Sequence, residues 1–293
     1  MSNFVLILLS GIGLGALYFL VASGLSLIYG LMGVLNFAHG TFLTVGAFGG
    51  MWVTNYLFPD MTTRTFVLGL LVGGLFGGLF AILVEQLVIT RLYERHMDQA
   101  LVTVGVSLVG GALLSGWFGT DARLIAVPTW YYNTVTIFGA VVPIDRFLYI
   151  GVALLIYLIC LGILNFTRIG LIIRAGVENR SMVMALGINV RIAFTAVFFL
   201  GGVAAGIGGL LIGSYSSGVS AFRAGSWLIY GFIVVVVGGM GSLTGSALAA
   251  LLIGVTKQFA NFYVPGLGDF VVVILLGVVL LSRPQGLLGR TVH

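Results

Sequence analysis

Charge is the scarcest thing in this 293-residue sequence: thirteen basic and eight acidic side chains, 7% of the whole. A soluble domain carries roughly a quarter charged residues. A water-facing surface cannot be made from this chain, and lipid has to be its solvent. Cysteine is nearly absent too. Cys160 stands alone, which excludes an internal disulfide, and within an apolar run it reads as a small packed side chain. Lysine occurs once, in Thr256-Lys257-Gln258, so a glycine-rich phosphate loop of the Walker type is excluded. Any ATP used is therefore hydrolysed by another chain. His39, His96 and His293 are too dispersed for a helical zinc pair, and no catalytic set, metal or cofactor is implied. The arginines form no basic tract, which sets nucleic acid aside. Met1–Phe4 lacks the basic start of a cleaved signal peptide, so Val5–Val21 reads as a retained first helix.

Apolar residues, by contrast, make up 60% of the chain, and the mean hydropathy is +1.19. Backbone groups in lipid must be satisfied within helices or a closed barrel. Barrel strands alternate apolar and polar residues. Val67–Leu83 and Leu148–Leu164 are continuously apolar instead, so the expectation is an all-α integral membrane protein, a polytopic helical bundle. A span needs about 20 apolar residues. Candidates are Phe4–Ile28, Phe37–Phe58, Thr65–Ile89, Ala100–Gly119, Phe147–Phe166 and Arg191–Gly213. Three shorter stretches follow, Trp227–Gly239, Ser246–Ala260 and Phe270–Leu281, giving about eight or nine membrane segments, some broken or short.

Arginine sets the orientation. Arg91, Arg95, Arg168, Arg174, Arg180, Arg191, Arg283 and Arg290 fall on one side. Arg64, Arg123, Arg146 and Arg223 fall on the other, among Asp60, Asp121, Asp145 and Asp269. The positive-inside rule makes the first side cytoplasmic, which puts the C-terminus inside and, if all nine stretches cross, the N-terminus outside. The long external loop, residues 120–146, reads as an aromatic anchor (Trp130, Tyr131, Tyr132) followed by a hairpin-like cap that turns at Gly139.

Forty-five glycines need a reason, since each costs about 1 kcal/mol against alanine in a helix interior. Gly69, Gly73 and Gly77 recur every fourth residue, as do Gly201, Ala205, Gly209 and Gly213, with Gly11 and Gly15 as a further pair. Such faces let a neighbouring backbone approach closely. They serve either tight packing within the chain, the favoured reading, or sliding during transport.

Three segments break the apolar monotony. In Leu35-Asn36-Phe37-Ala38-His39-Gly40, Asn36 is the expected N-cap and His39 lies in the first turn. This is either a broken helix lining a pathway or a capped cytoplasmic turn. The basic loop, residues 167–190, contains a predicted helix at Val177–Leu186, with Val177, Ser181, Met184 and Ala185 near one face and Gly187 at the stop position. Such a helix docks into a partner's groove or lies on the membrane. Between two short stretches, Gly238-Gly239-Met240-Gly241-Ser242-Leu243-Thr244-Gly245 marks a further interruption, a pathway pointer or a tight cytoplasmic turn.

Leu35–Gly40, Arg174–Asn189, Gly238–Gly245 and Arg283–Gly289 (RPQGLLG) resemble, in the same order, the permeases of branched-chain amino acid ABC importers, and the similarity covers essentially the whole chain. Arg91-Leu92-Tyr93 and Thr103–Ser107 are also similar to the urea and amide branch. Gln86, Arg91 and Lys257 depart from the familiar amino acid pattern. The resemblance implies one permease domain over residues 1–293 in a bacterial-type inner membrane. Its partners would be a paralogous second permease, two cytoplasmic ATPase subunits and an extracytoplasmic solute-binding protein that delivers a hydrophobic amino acid or a small amide such as urea. Contact with the ATPase would then involve Arg174, Ala175, Glu178, Asn179, Ala185, Gly187 and Asn189. The pathway would be bordered by Asn36, Phe37, His39, Gly238, Gly239, Gly241 and Ser242. The alternative is a secondary transporter driven by an ion gradient through Glu85, His39 or Lys257. A structural or channel-forming protein is a third class, which would not need so elaborate a cytoplasmic loop.

Overall fold

The computed structural model describes residues 2–33, 35–57, 61–92, 95–178, 180–187 and 189–289. Phe58, Asp60, Tyr93, Asn179 and Arg290 lie outside the described residues, as do the side chains of His96, Val177, Glu178, Arg180 and Ser181.

Among the described residues the chain runs as α1 (Ser2–Met32), α2 (His39–Trp52, continued by a π turn, Val53–Leu57), α3 (Thr63–Leu87), α4 (His96–Phe118), the strands β1 (Thr134–Ile137) and β2 (Ala140–Pro143), α5 (Asp145–Phe166), α6 (Arg168–Glu178), α7 (Arg180–Ala185), α8 (Val190–Tyr215), α9 (Ala224–Gly238), α10 (Leu243–Tyr263) and α11 (Leu267–Ser282). Helices α1, α3, α4, α5, α8 and α10 are long and apolar enough to cross a membrane, and α9 and α11 are shorter apolar helices. The all-α, polytopic expectation holds. Two stretches differ. Phe37–Phe58 reads as a full span, yet α2 runs 14 residues before its π turn and is not among the described helices long and apolar enough to cross. Ser246–Ala260 reads as short because Lys257 and Gln258 interrupt its hydropathy, yet the helix around it runs 21 residues.

Glycine decides how closely the helices pack. Helix α8 lies against α1, α2 and α3. A methyl group on Gly46 of α2 would stand 2.2 Å from Gly206 Cα in α8 and 2.7 Å from the Gly73 carbonyl oxygen in α3. Three backbones thus meet with no side chain between them. Gly11 and Gly15 of α1 fit against Val255 and Ala250 of α10 in the same way. Gly73, Gly77, Gly209, Gly11 and Gly15 thus have the packing role favoured for their repeats, while Gly46 and Gly206 lie outside those repeats. At the end of α3, the fully buried Glu85 accepts hydrogen bonds from Thr195 Oγ1 of α8 (2.9 Å) and from Thr90 Oγ1 (3.2 Å). Its carboxylate is a tie between two helices, not a group turned to lipid.

The cap between α4 and α5 is a hairpin, as its sequence predicts. Strands β1 and β2 pair antiparallel from Thr134↔Pro143 to Ile137↔Ala140. The two-residue turn has φ +49° at Phe138 and +78° at Gly139, the positive values of a type I′ turn. The anchor before it is docked. Trp130 Nε1 donates to Thr63 Oγ1 at 2.8 Å, and the Tyr131 hydroxyl pairs with that of Tyr149 on α5. Burial pushes the Tyr131 phenol up to about 12, so at neutral pH it stays protonated and able to donate. Near the α10–α11 turn, Lys257 of α10 pairs with Asp269 of α11 (2.6 Å) and donates to the Tyr230 hydroxyl of α9 (2.7 Å).

Candidate functional site

Helix α1 ends at Met32, and the chain then turns back. His39 Nε2 lies 3.1 Å from the Val21 carbonyl oxygen. Val21 is eleven residues short of the end of α1, or roughly 16 Å at 1.5 Å per residue. Helix α2 therefore starts deep beside the middle of α1, as a broken helix does. Because a carbonyl can only accept, Nε2 carries the proton and Nδ1 has the lone pair. The imidazole is buried against Gly24, with the Phe42 ring at 5.5 Å.

Asn36 does not act as the N-cap. The helix begins at His39 with Ala38 in the cap position. Asn36 Oδ1 accepts from the Ala38 N–H at 3.0 Å instead, the local turn that Asn side chains favour. The Phe37 N–H donates to Thr103 Oγ1 of α4 at 3.2 Å, and the Phe37 ring meets Phe232 of α9 edge-on at 5.1 Å. Gly40 packs on Leu228, one turn earlier on α9.

The glycine-rich turn lies at the far end of the same α9. Gly238 ends the helix, and Gly239 (φ +101°) and Gly241 (φ +84°) turn the chain through backbone angles closed to most side chains. Ser242 then caps α10, its Oγ accepting from the Gly245 N–H at 3.0 Å. A methyl group on Gly30 of α1 would stand 3.2 Å from Gly241 Cα. The two sequence-marked segments thus share α9 as a wall, with Phe232 and Gly238 about 9 Å apart along its axis. The C-terminal motif has a role that its sequence did not disclose. Leu287 and Leu288 donate backbone hydrogen bonds to Val237 and Gly238 (2.8 and 3.0 Å), closing the carbonyl end of α9.

The basic loop is more helical than its sequence suggests. Thr167 stops α5 and starts α6, accepting from the Gly170 N–H at 3.1 Å while donating to the Ile163 carbonyl at 2.6 Å. The predicted Val177–Leu186 helix is instead split between the end of α6 and the six residues of α7. Arg174 is exposed on α6 and reaches Asn165 Oδ1 at 3.4 Å. Ala175 packs against the small core of Val183, Val190 and Phe194. Ala185 ends α7, and Gly187 (φ +77°) stops it as expected, its N–H bonded to the Met184 carbonyl at 3.0 Å. Asn189 caps α8 by accepting from the Arg191 N–H at 3.1 Å. Around this arm Met182, Met184 and Leu186 are exposed, an apolar surface outside the helical spans.

A polar seam between α2 and α4, with Thr41 and Thr103 buried in it and the buried Gln99 one turn before Thr103, was not marked by the sequence. Its one trace in the sequence is that Gln99 and Thr103 stand four apart on one helix face, a spacing that says nothing of what the face meets.

Residues 7–281 match the family described as branched-chain amino acid transport system, permease component. The chain is 28% identical to the high-affinity branched-chain amino acid transport system permease protein BraD of Pseudomonas aeruginosa, covering 97% of this chain and 95% of that one. It is 25% identical to the corresponding permease protein LivH of Salmonella typhimurium (96% and 94% covered). To LivM of Escherichia coli K12 it is 26% identical, over 94% of this chain and 68% of that one. No solved structure gives a significant match.

Proposed function

This chain belongs to the branched-chain amino acid transport system permease family, and from that premise we propose that it is the membrane-spanning subunit of an ATP-driven importer for a branched-chain or similar hydrophobic amino acid. It sits in a bacterial-type inner membrane as a multi-pass protein with its C-terminus inside. It pairs with a second, related permease, works with two cytoplasmic ATPase subunits, and receives its substrate from an extracytoplasmic binding protein. One observation carries this reading: the family match runs from α1 through the broken start of α2 and the α6–α7 arm to α11. The missing phosphate loop supports it independently, because hydrolysis must then lie in a partner. Similarity of LivM as well as LivH to this chain supports a paired permease.

Asn36, Phe37, His39 and the Gly238–Ser242 turn border the pathway, flanking α9 between them. The α6–α7 arm, from Arg174 to Asn189, meets the ATPase. Met182, Met184 and Leu186 supply an apolar contact surface there, within a segment rich in arginine. Urea or a small amide is the second substrate reading, favoured only by Arg91-Leu92-Tyr93 and Thr103–Ser107.

Proteoliposomes holding the full assembly test the proposal. Uptake of labelled leucine should require ATP and survive a protonophore. Uptake by this chain alone, driven by a pH gradient, would replace it with secondary transport. Competition with excess urea separates the two substrate classes.

A further inference from the structure

Helix α4 is held to α2 along an unusual seam. One face of α4 carries Gln99, Thr103 and Gly110. Thr103 Oγ1 accepts from the Phe37 N–H and Gly110 lies against the Thr41 side chain at the start of α2, while Gln99 Nε2 donates to the Leu92 carbonyl just before α4. Asn36, Thr41, Gln99 and Thr103 are all at least 96% buried. Their hydrogen bonding is nonetheless incomplete. Among the described residues, Asn36 Nδ2, Thr41 Oγ1 and Gln99 Oε1 have no partner. Most of the outer face of α4 is exposed, including Leu101, Leu108, Leu113 and Trp117, and the helix packs on little besides α2. Burying polar atoms unpaired is unfavourable. A seam that does so beside a loosely held helix is suited to opening and taking up a polar ligand.

The chemistry of the seam narrows the ligand. Asn36 Nδ2 can only donate. Its amide lies against the first turn of α2, where the helix dipole favours negative charge. An anionic acceptor fits that position, and a substrate amino acid carries one in its carboxylate. We infer that α4 parts from α2 during transport, and that Asn36 then donates from Nδ2 to the carboxylate of the passing amino acid. This rests on the amino acid reading of function given above.

Two substitutions separate that role from a merely local one. Asp and, more weakly, Ser also accept from the backbone N–H two residues on, so either keeps the bond to Ala38. Neither keeps the Nδ2 donor, and Asp adds a charge that repels a carboxylate. In the complete transporter, Asn36→Asp and Asn36→Ser should each lower ATP-driven leucine uptake by about tenfold or more, the loss expected for a hydrogen bond to a charged group. Assembly and thermal stability should stay at wild-type values for Asn36→Ser. A second measurement needs no substrate chemistry. The Cβ position of residue 110 lies 3.4 Å from that of Thr41, near the span of a disulfide. With Cys160→Ala as background, oxidised Thr41→Cys/Gly110→Cys should stop transport, and reduction should restore it. Wild-type uptake by both Asn36 variants would overturn the carboxylate contact, and full activity of the crosslinked protein would overturn the opening. If the wild-type assembly carries no amino acid at all, the reading of its substrate fails, and the carboxylate contact fails with it.

Discussion

Replacing Gly46 with alanine tests whether backbone contact between α2, α3 and α8 holds the bundle together. The added methyl would lie 2.2 Å from Gly206 Cα and 2.7 Å from the Gly73 carbonyl oxygen, where ordinary contact begins near 3.4 Å. Both obstacles are backbone, so no rotamer change relieves them. The helices must separate by about 1 Å, and each then loses contacts along its length. Overpacking of this kind typically costs about 1–3 kcal/mol, and two backbone clashes place Gly46→Ala at the upper end. Alanine returns about 1 kcal/mol through helix propensity. The net expectation is a loss of about 2 kcal/mol. Gly105→Ala on α4 is the control, since a Cβ there meets nothing within 4 Å and only the propensity gain of about 1 kcal/mol applies. Thermal unfolding of the two purified variants in the same detergent measures the difference. Gly105→Ala should melt at or above the wild-type temperature and Gly46→Ala several degrees below it. Equal melting of the two alanines would refute close packing as the reason for glycine at position 46.

Other perturbations address the arm, the Lys257–Asp269 pair and the hairpin. Gly187→Val forces a β-branched residue into a backbone with φ +77°, and Glu178→Arg reverses a charge in the proposed ATPase contact. Each should uncouple hydrolysis from uptake or weaken assembly while membrane insertion stays normal, as read from subunit stoichiometry, ATPase rate and uptake together; normal values for both would leave the arm a topological anchor. Lys257→Met removes the ion pair to Asp269, whose side chain is 64% exposed, so solvent screening limits the loss to about 1 kcal/mol or less. ATP-driven uptake should persist, and its abolition would return Lys257 to the transport chemistry. Phe138→Asn places a residue tolerant of positive φ in the hairpin turn; unfolding of the purified protein should show stability equal to wild type or higher, and a clear loss would mean that the Phe138 ring, not the turn, holds the cap in place.

Composition and periodicity alone decided the class of this protein. A chain with 7% charged residues and long unbroken apolar runs has no stable option but transmembrane helices, whatever its tertiary details. The hairpin at Gly139 and the stop at Gly187 were legible for a related reason: a positive φ is a local property, and glycine announces it. Local signals failed where another part of the chain competed for the same group. Asn36 reads as a helix cap, yet its oxygen takes the Ala38 N–H in a turn before α2. Val177–Leu186 reads as one helix, yet α6 begins at Arg168, its first turn capped by the Thr167 hydroxyl, and α7 forms separately against α8. Glu85 and Lys257 stand out in sequence as charges in apolar stretches. Only the packing of α3 on α8 and of α10 beside α9 and α11 supplied their partners, Thr195, Asp269 and Tyr230. The α2–α4 seam was least legible of all. Its residues lie some sixty positions apart in sequence, and a threonine in a span becomes informative only once another helix buries its hydroxyl, because burial is what makes an unpaired polar atom unfavourable.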